Sequence, residues 1–266
     1  MTELEHYVFL DMSYIVFHKY YALISWMKLS QKELTEDEMK LKMESNLELY
    51  LNKVKKQLEV NTFENVYIVY DTRRHLIWRN EFFTQYKQNR TYDSAITGIF
   101  EHIYKVIMPS LQAKLKIKSI SVKTAEADDI IAVSCKYIRE KDQFVKISIL
   151  TNDNDYIQLI PLDVNIINAS FQSLRHRFNE DILSVYTEWK VIKGDKSDNI
   201  PSIDTRIGDK TAFKLAKNPE LLVKKLKDKK VLEQYNLNKL LIDFNSIPEH
   251  IKIEIIENLN ALLFKK

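Results

Sequence analysis

Five short apolar runs punctuate the first two-thirds of the chain, at residues 7–10, 66–70, 117–122, 145–150 and 164–167. They are rich in Val, Ile, Tyr and Phe, and most are followed by turn residues, which predicts buried strands. Between them the apolar positions change period. Leu41, Leu47, Leu51, Val54 and Leu58 recur every three or four residues or so ahead of the second run, and Ile130, Val133, Tyr137 and Ile138 do so between the third and fourth. That spacing predicts helices, and strand–helix alternation predicts an α/β domain whose mostly parallel central sheet is flanked by helices. From about residue 180 the strand pattern stops. Segments 181–193, 209–217, 219–226 and 232–244 read as helices, so a soft boundary is placed near residue 190. The expected division is an α/β domain over 1–190 and a helical region over 191–266.

Composition narrows the chemistry. Of 266 residues only three are glycine, Gly98, Gly194 and Gly208, and no two are within six positions. Neither a phosphate-cradling Walker loop nor a dinucleotide-binding glycine fingerprint can be written with them. The single Cys135 excludes an internal disulfide and reads as a buried small hydrophobe within a helical apolar stripe. The six histidines show no metal-ligand spacing. Lys and Arg exceed Asp and Glu by 40 − 37 = 3, too little to mark a nucleic-acid binder without a local basic patch. No signal peptide or membrane-length apolar run is visible, so a soluble intracellular protein without membrane contact is expected.

The informative feature is where carboxylates meet strand ends. Asp11 closes the first run, Asp71 the second, and Asp153 and Asp155 follow the fourth. Parallel sheets bind ligands beyond the carboxyl ends of their strands, so these four acids converge on one crevice. Glu126, Asp128 and Asp129 follow the third run at the start of a helix and point to the same place. Singly, each has a bland reading: a strand-ending Asp makes an Asx-turn, and acids in a first helical turn complement the helix dipole. Together these readings fail. Two carboxylates about 4 Å apart repel by roughly 4 kcal/mol at an effective dielectric of about 20. Seven in one cleft must protonate or gather cations, and so many hard oxygen ligands suit Mg²⁺ or Mn²⁺. Two such ions about 4 Å apart cleave phosphodiesters.

Three further segments gather round this centre. Gly194-Asp195-Lys-Ser-Asp198-Asn-Ile-Pro201 brings two more acids able to close the metal site. Arg206-Ile-Gly208-Asp-Lys210-Thr211 reads as a turn opening a helix, whose free backbone amides suit a phosphate. Residues 73–90, directly after Asp71, interleave Arg73, Arg74, Arg79, Lys87 and Arg90 with aromatic rings. Read as a helix, this segment sets Arg79, Phe83, Tyr86 and Arg90 in one stripe, with Phe82 and Phe83 packed inward. It suits a nucleic-acid backbone and a stacked base.

In order, LDMS (10–13), VYDTRR (69–74), YKQNR (86–90), AEADD (125–129), TNDND (151–155), GDKSDNIP (194–201) and IGDKTA (207–212) resemble the hallmarks of the 5′ nuclease superfamily of flap endonucleases and 5′-to-3′ exonucleases. WRNEF (78–82) and LIDFNSIPEHI (241–251) are similar to its T-even phage ribonuclease H branch. The resemblance implies a PIN-like nuclease fold using two Mg²⁺ ions, with Mn²⁺ as substitute. Asp11, Asp71, Glu126, Asp128, Asp153, Asp155 and Asp195 match its metal-binding acids, with Asp129 and Asp198 as companions. Lys87, with Arg90 as a second cation, matches the lysine near the scissile phosphate. A gateway for a single 5′ strand is implied near 78–104, and a duplex-gripping helix–turn–helix over about 199–217. Here the pattern departs from the family, because its Gly-x-Gly turn is reduced to Arg206-Ile-Gly208 and Ser202 stands where glycine is usual. The implied substrate is DNA, as 5′ flaps, nicked or gapped duplex, or RNA–DNA primers, cut by a monomer. The alternatives are a junction binder of the same fold that does not cleave, and a metal-dependent phosphomonoesterase. The C-terminal stretch from Leu259 to Phe264 loosely resembles tails that dock on a sliding clamp, though a packed helix is the simpler reading; a single-strand-binding protein is a second implied partner.

Overall fold

A computed structural model describes residues 5–90 and 94–263. β1 (His6–Asp11) passes without a loop into α1 (Met12–Ser30), and α2 (Glu36–Gln57) returns to β2 (Val66–Val69). After a run of turns come α3 (Ser94–His102), a π-helical turn (Ile103–Ile107), α4 (Met108–Leu115) and β3 (Lys118–Ile120). α5 (Ala127–Lys141), β4 (Lys146–Leu150) and β5 (Asn165–Ile167) complete the sheet. The strand order is β3-β2-β1-β4-β5, and every pairing is parallel. Each of the five apolar runs coincides with one of these strands to within two residues at either end, as their continuous rather than alternating hydrophobicity requires of a sheet covered on both faces.

Alternate strand residues feed two cores. Phe9, Tyr67, Ile147 and Ile149 pack with α5 on one face, while Val8, Leu10, Ile68 and Leu150 pack with α1 and α2 on the other. The rest of the chain forms α6 (Glu180–Leu183), α7 (Tyr186–Lys193), α8 (Asp209–Lys217), α9 (Pro219–Lys225), α10 (Lys229–Ile242) and α11 (Glu249–Leu263). The boundary expected at residue 190 falls inside α7. Ile251, Ile255 and Leu259 of α11 are buried in the same core as α5, so the last helix packs back on the α/β part.

Two further expectations change. The segment 199–217 holds one helix, α8; its packing partner is α7, across the loop 194–208. The gateway segment includes residues 91–93, which lie outside the described residues. Its later part is helical, with Ile99 and Ile103 buried against the α1–α2 face. The expected docking tail is the last turn of α11, packed rather than free: Leu259 is fully buried, and Phe264 lies outside the described residues.

Candidate active site

β1 and β2 end side by side, Asp11 opposite Val69, with Leu10 opposite Leu150 of β4 on the other flank. This register carries Asp11, Asp71 and Asp153 to one rim. Asp11 also caps α1, its Oδ1 accepting from the Tyr14 amide at 3.2 Å and its Oδ2 from the Thr151 hydroxyl at 2.8 Å. Asp71 accepts from the Ser13 hydroxyl at 2.5 Å and from the Ala127 amide, at the start of α5, at 2.8 Å. Glu126 caps α5, and Asp128 lies in its first turn. These acids, with Asp153, Arg74, Lys87 and Arg90, line a cleft of about 410 Å³.

Asp153 belongs also to an adjoining cavity of about 560 Å³, lined by Asp155, Asp195 and Lys190. Oxygens of Asp155, Asp195 and Asp198 lie within 4.8 Å of one another, as do those of Glu126, Asp128 and Asp129. The loop carrying Asp195 turns at Gly194 with φ +74°, and a Cβ there would lie 2.4 Å from the Pro201 carbonyl oxygen. Only glycine fits. The fold thus brings seven of the nine sequence-marked acids to the walls of two contiguous hollows, with Asp129 and Asp198 buried beside them.

The electrostatics divide them into two kinds. Burial, then Asp71, pushes the Asp11 carboxyl up to about 7, and burial, then Asp155, pushes Asp153 up to about 6. Burial and Asp129 hold Asp128 well above the usual carboxylate range. Burial would raise Glu126 and Asp195 as well, but lysines reverse it. Lys87 and Arg79 hold Glu126 at about 2, and Lys190 with Ser197 holds Asp195 at about 2. Carboxylates held above their ordinary range by burial and by one another, in an all-oxygen donor set, fit a hard divalent cation.

That fit has a pH signature. Asp11 and Asp153 carry folded-state values above their ordinary one, so their contribution to stability is present while they are protonated. It is lost as pH rises through about 6 to 7. A divalent cation replaces the lost protons. Adding Mg²⁺ or Mn²⁺ should therefore raise the unfolding temperature more at about pH 8 than at about pH 5.5. Equal increments at both pH values would mean that these acids do not hold the ion.

Several sequence readings are corrected. Residues 73–90 form no α-helix: short 3₁₀ turns at Arg74–Leu76 and Trp78–Glu81 are followed by further turns. Arg79, read as a phosphate contact, is 2% exposed and bound to Asp129 and Glu126. Tyr86, read as a stacking ring, is also 2% exposed, and its hydroxyl donates to Glu126 at 2.8 Å and Asp198 at 3.2 Å. Phe82 is half exposed, while Phe83 packs inward. Asp129 belongs to the cluster, but both its oxygens accept from Arg79 and one also from the Trp78 indole at 2.8 Å, which makes it a structural counter-ion. Lys87 donates to Glu126, and Arg90 to Asp198. Arg73, Arg206, Gly208, Lys210 and Thr211 are exposed, and Arg74 partly so.

The sequence reading missed Lys190. It is 8% exposed and bridges Asp155 and Asp195, the latter at 2.7 Å. Its signal was its place in α7, five residues ahead of Asp195, which resembles an ordinary basic helix end.

The chain is similar to known proteins in sequence and in fold. Residues 6–193 match the family model described as 5′-3′ exonuclease, N-terminal resolvase-like domain. The chain is 28% identical over 253 residues to Ribonuclease H of Enterobacteria phage T4, covering 85% of this chain and 80% of that one. It is 30% identical over 161 residues to a 5′-3′ exonuclease of Buchnera aphidicola subsp. Schizaphis graminum, covering 58% of this chain and about half (53%) of that one. In fold it is similar to the bacteriophage T5 flap endonuclease solved as a pseudo-enzyme-product complex with DNA and metal ions. The TM-score is 0.68 at 15% identity, over 97% of this chain and 99% of that one.

Proposed function

This chain belongs to the 5′-3′ exonuclease family, and on that premise we propose that it is a structure-selective, divalent-metal-dependent 5′ nuclease that hydrolyses phosphodiesters at DNA or RNA–DNA ends. Primer removal in replication, or repair, is the process such an activity serves. One observation carries the reading: two acidic hollows share Asp153 at the strand ends and open beside Lys87 and Arg90. Asp11, Asp71, Glu126, Asp128 and Asp153 would hold one cation, and Asp155, Asp195 and Asp198 with Asp153 a second, Mg²⁺ being the fitting ion. Bound there, the ions supply an activated water and Lewis-acid stabilisation of the leaving 3′ oxygen.

The chain's own groups do the rest. Lys87 keeps its proton because Glu126 and Asp198 outweigh its burial, so its ammonium is available to charge developing on the phosphate. Arg90, 42% exposed on its side chain, anchors the adjacent phosphate. Gly208 caps α8 without a side-chain hydrogen bond, leaving first-turn amides for the duplex backbone beside Arg206, Lys210 and Thr211. Gly208 has open space around it, so the close approach survives loss of the second family glycine. The nucleotide at the 5′ junction must unstack, at about a few kcal/mol, least at ends and flaps, which yields structure preference without base reading.

Cleavage of a 5′-labelled flap in Mg²⁺, abolished by EDTA, tests the proposal. A flap bound but never cut would make the protein a junction binder, and turnover of a chromogenic phosphomonoester alone would make it a small-substrate phosphatase. Lys87→Ala should lower kcat on the flap about 10²-fold or more while duplex affinity changes by less than about threefold. An equal loss in both would reduce Lys87 to an anchoring charge.

A further inference from the structure

The outer groove between α1 and α2 holds a second basic site that the nuclease reading does not use. Lys19, Ala22, Leu23 and Trp26 of α1 face Lys42, Asn46, Leu49, Tyr50 and Lys53 of α2 across a pocket of about 440 Å³. Spacings of three, four and seven along each helix put these residues on one face apiece. No carboxylate lines the pocket. Among the described residues none of the three lysines forms an ion pair, although Lys40 and Lys114 nearby do. Instead each lies against an aromatic ring: Lys19 over Tyr50 at 3.8 Å, Lys42 over Trp26 at 5.9 Å and Lys53 over Phe171 at 5.4 Å.

The positive charge is local to the groove, since the chain as a whole carries almost as many acids as bases. Burial and the charge of Lys53 together disfavour the protonated form of Lys19, which is the mark of cations held close with no counter-ion. Trp26 is 41% exposed, with Lys32 at 5.7 Å and Lys42 at 5.9 Å from its ring centre, and Leu49 on the same groove is 69% exposed. The groove is separate from the acidic cleft. Ser13, Phe17 and Tyr21 of α1 face the side of Asp71, and Lys19, Ala22, Leu23 and Trp26 face away from it, roughly half a turn round the helix.

We propose that this groove binds single-stranded nucleic acid, its lysines on consecutive phosphates and a base stacked on Trp26. A cationic track interleaved with an exposed aromatic ring is what strand binding without base reading requires, and the volume suits about one nucleotide within a longer track. An acidic protein segment would meet the lysines but gain little from the flat indole. Asn46 lies between the lysines, where its amide can meet either a base edge or a phosphate oxygen. The site does not depend on the chemistry of the acidic cleft, so either reading can fail alone.

The test is binding of a fluorescein-labelled oligo-dT of about twelve nucleotides to the full chain in EDTA, read by anisotropy and by quenching of tryptophan emission. Lys42→Glu combined with Lys53→Glu changes two exposed positions and should leave the unfolding temperature unaltered. It should weaken binding about tenfold or more at low salt and flatten the salt dependence by about one to one and a half in log–log slope, while Trp26→Leu removes the quench. The same variants should leave Mg²⁺-dependent cleavage of a short flap intact, and Asp155→Asn should leave the quench intact. Unchanged affinity and quench in the charge-reversed variant would overturn the proposal. So would displacement of the oligonucleotide by a poly-glutamate peptide or by inorganic phosphate at equal charge concentration, since either would show a plain anion site.

Discussion

Asp11→Asn is expected to abolish cleavage and at the same time to make the metal-free protein more stable. The carboxylate is 9% exposed and stands beside Asp71, and together burial and that neighbour lift it to about 7. At pH 8 it is ionised against that resistance. A neutral amide of the same shape removes the resistance and keeps an oxygen for the Tyr14 amide that caps α1. The gain should be about 2 kcal/mol larger at pH 8 than at pH 5, and should vanish only below about pH 4, where the carboxyl is protonated in the unfolded chain as well. Thr151 donates to the second oxygen, and its hydroxyl can turn to accept from the new amide group. Activity should fall about 10³-fold or more, because an amide cannot supply the charge a divalent cation needs. The measurement is a pair of urea titrations at the two pH values beside a flap-cleavage assay. A variant less stable at pH 8 than at pH 5 relative to wild type would show that Asp11 is held as a favourable carboxylate and has no unmet charge.

The strands were legible because a sheet covered on both faces leaves a signature in composition alone. Val66 to Val69 is fully buried, and so short an apolar run bounded by turns leaves room for a strand and not for a helix. The acids at strand ends were legible for a related reason, since parallel topology fixes where those ends meet. What surrounds them was not. Arg79 and Tyr86 carry the side-chain chemistry of a nucleic-acid contact, and their burial is set by residues far along the chain. The Leu241 carbonyl accepts from Arg79, and Asp198 from Tyr86. Lys190 was hidden in the same way, because its two carboxylate partners come from different elements. The helix expected over 73–90 gave way because its polar groups found partners in tertiary contacts: the Lys87 amide donates to the Asp198 carbonyl at 2.9 Å with Lys87 at φ +56°. Periodicity reports which face is apolar, not which loop will come to meet a polar one. The return of α11 to α5 was not legible for the same reason, since its apolar stripe does not say which element it meets.

Arg79→Ala should be the most damaging substitution to stability outside the apolar cores. The guanidinium donates to Asp129 through both terminal nitrogens at 2.8 and 2.7 Å, to Glu126 at 3.0 Å and to the Leu241 carbonyl at 2.8 Å. It also lies 4.6 Å from the Trp78 ring centre. It therefore joins the turns after Asp71, the start of α5 and the end of α10 through one side chain. Removing it strands Asp129, which is fully buried, and costs about 3–5 kcal/mol, the usual price of breaking a buried pair from one side. Lysine should recover little, since a single ammonium cannot reproduce the paired donation. Arg79→Met with Asp129→Leu should recover part, because no lone charge is left, although the Trp78 indole and Glu126 amide then lose their acceptor. Urea midpoints with unchanged m-values measure each step. The same release frees one of the cations that hold Glu126 near 2, so metal affinity should change alongside stability. Should Arg79→Ala unfold at the wild-type midpoint and lose only duplex affinity, the guanidinium would be a phosphate contact after all, and the ion pair beneath the cleft would have no structural role.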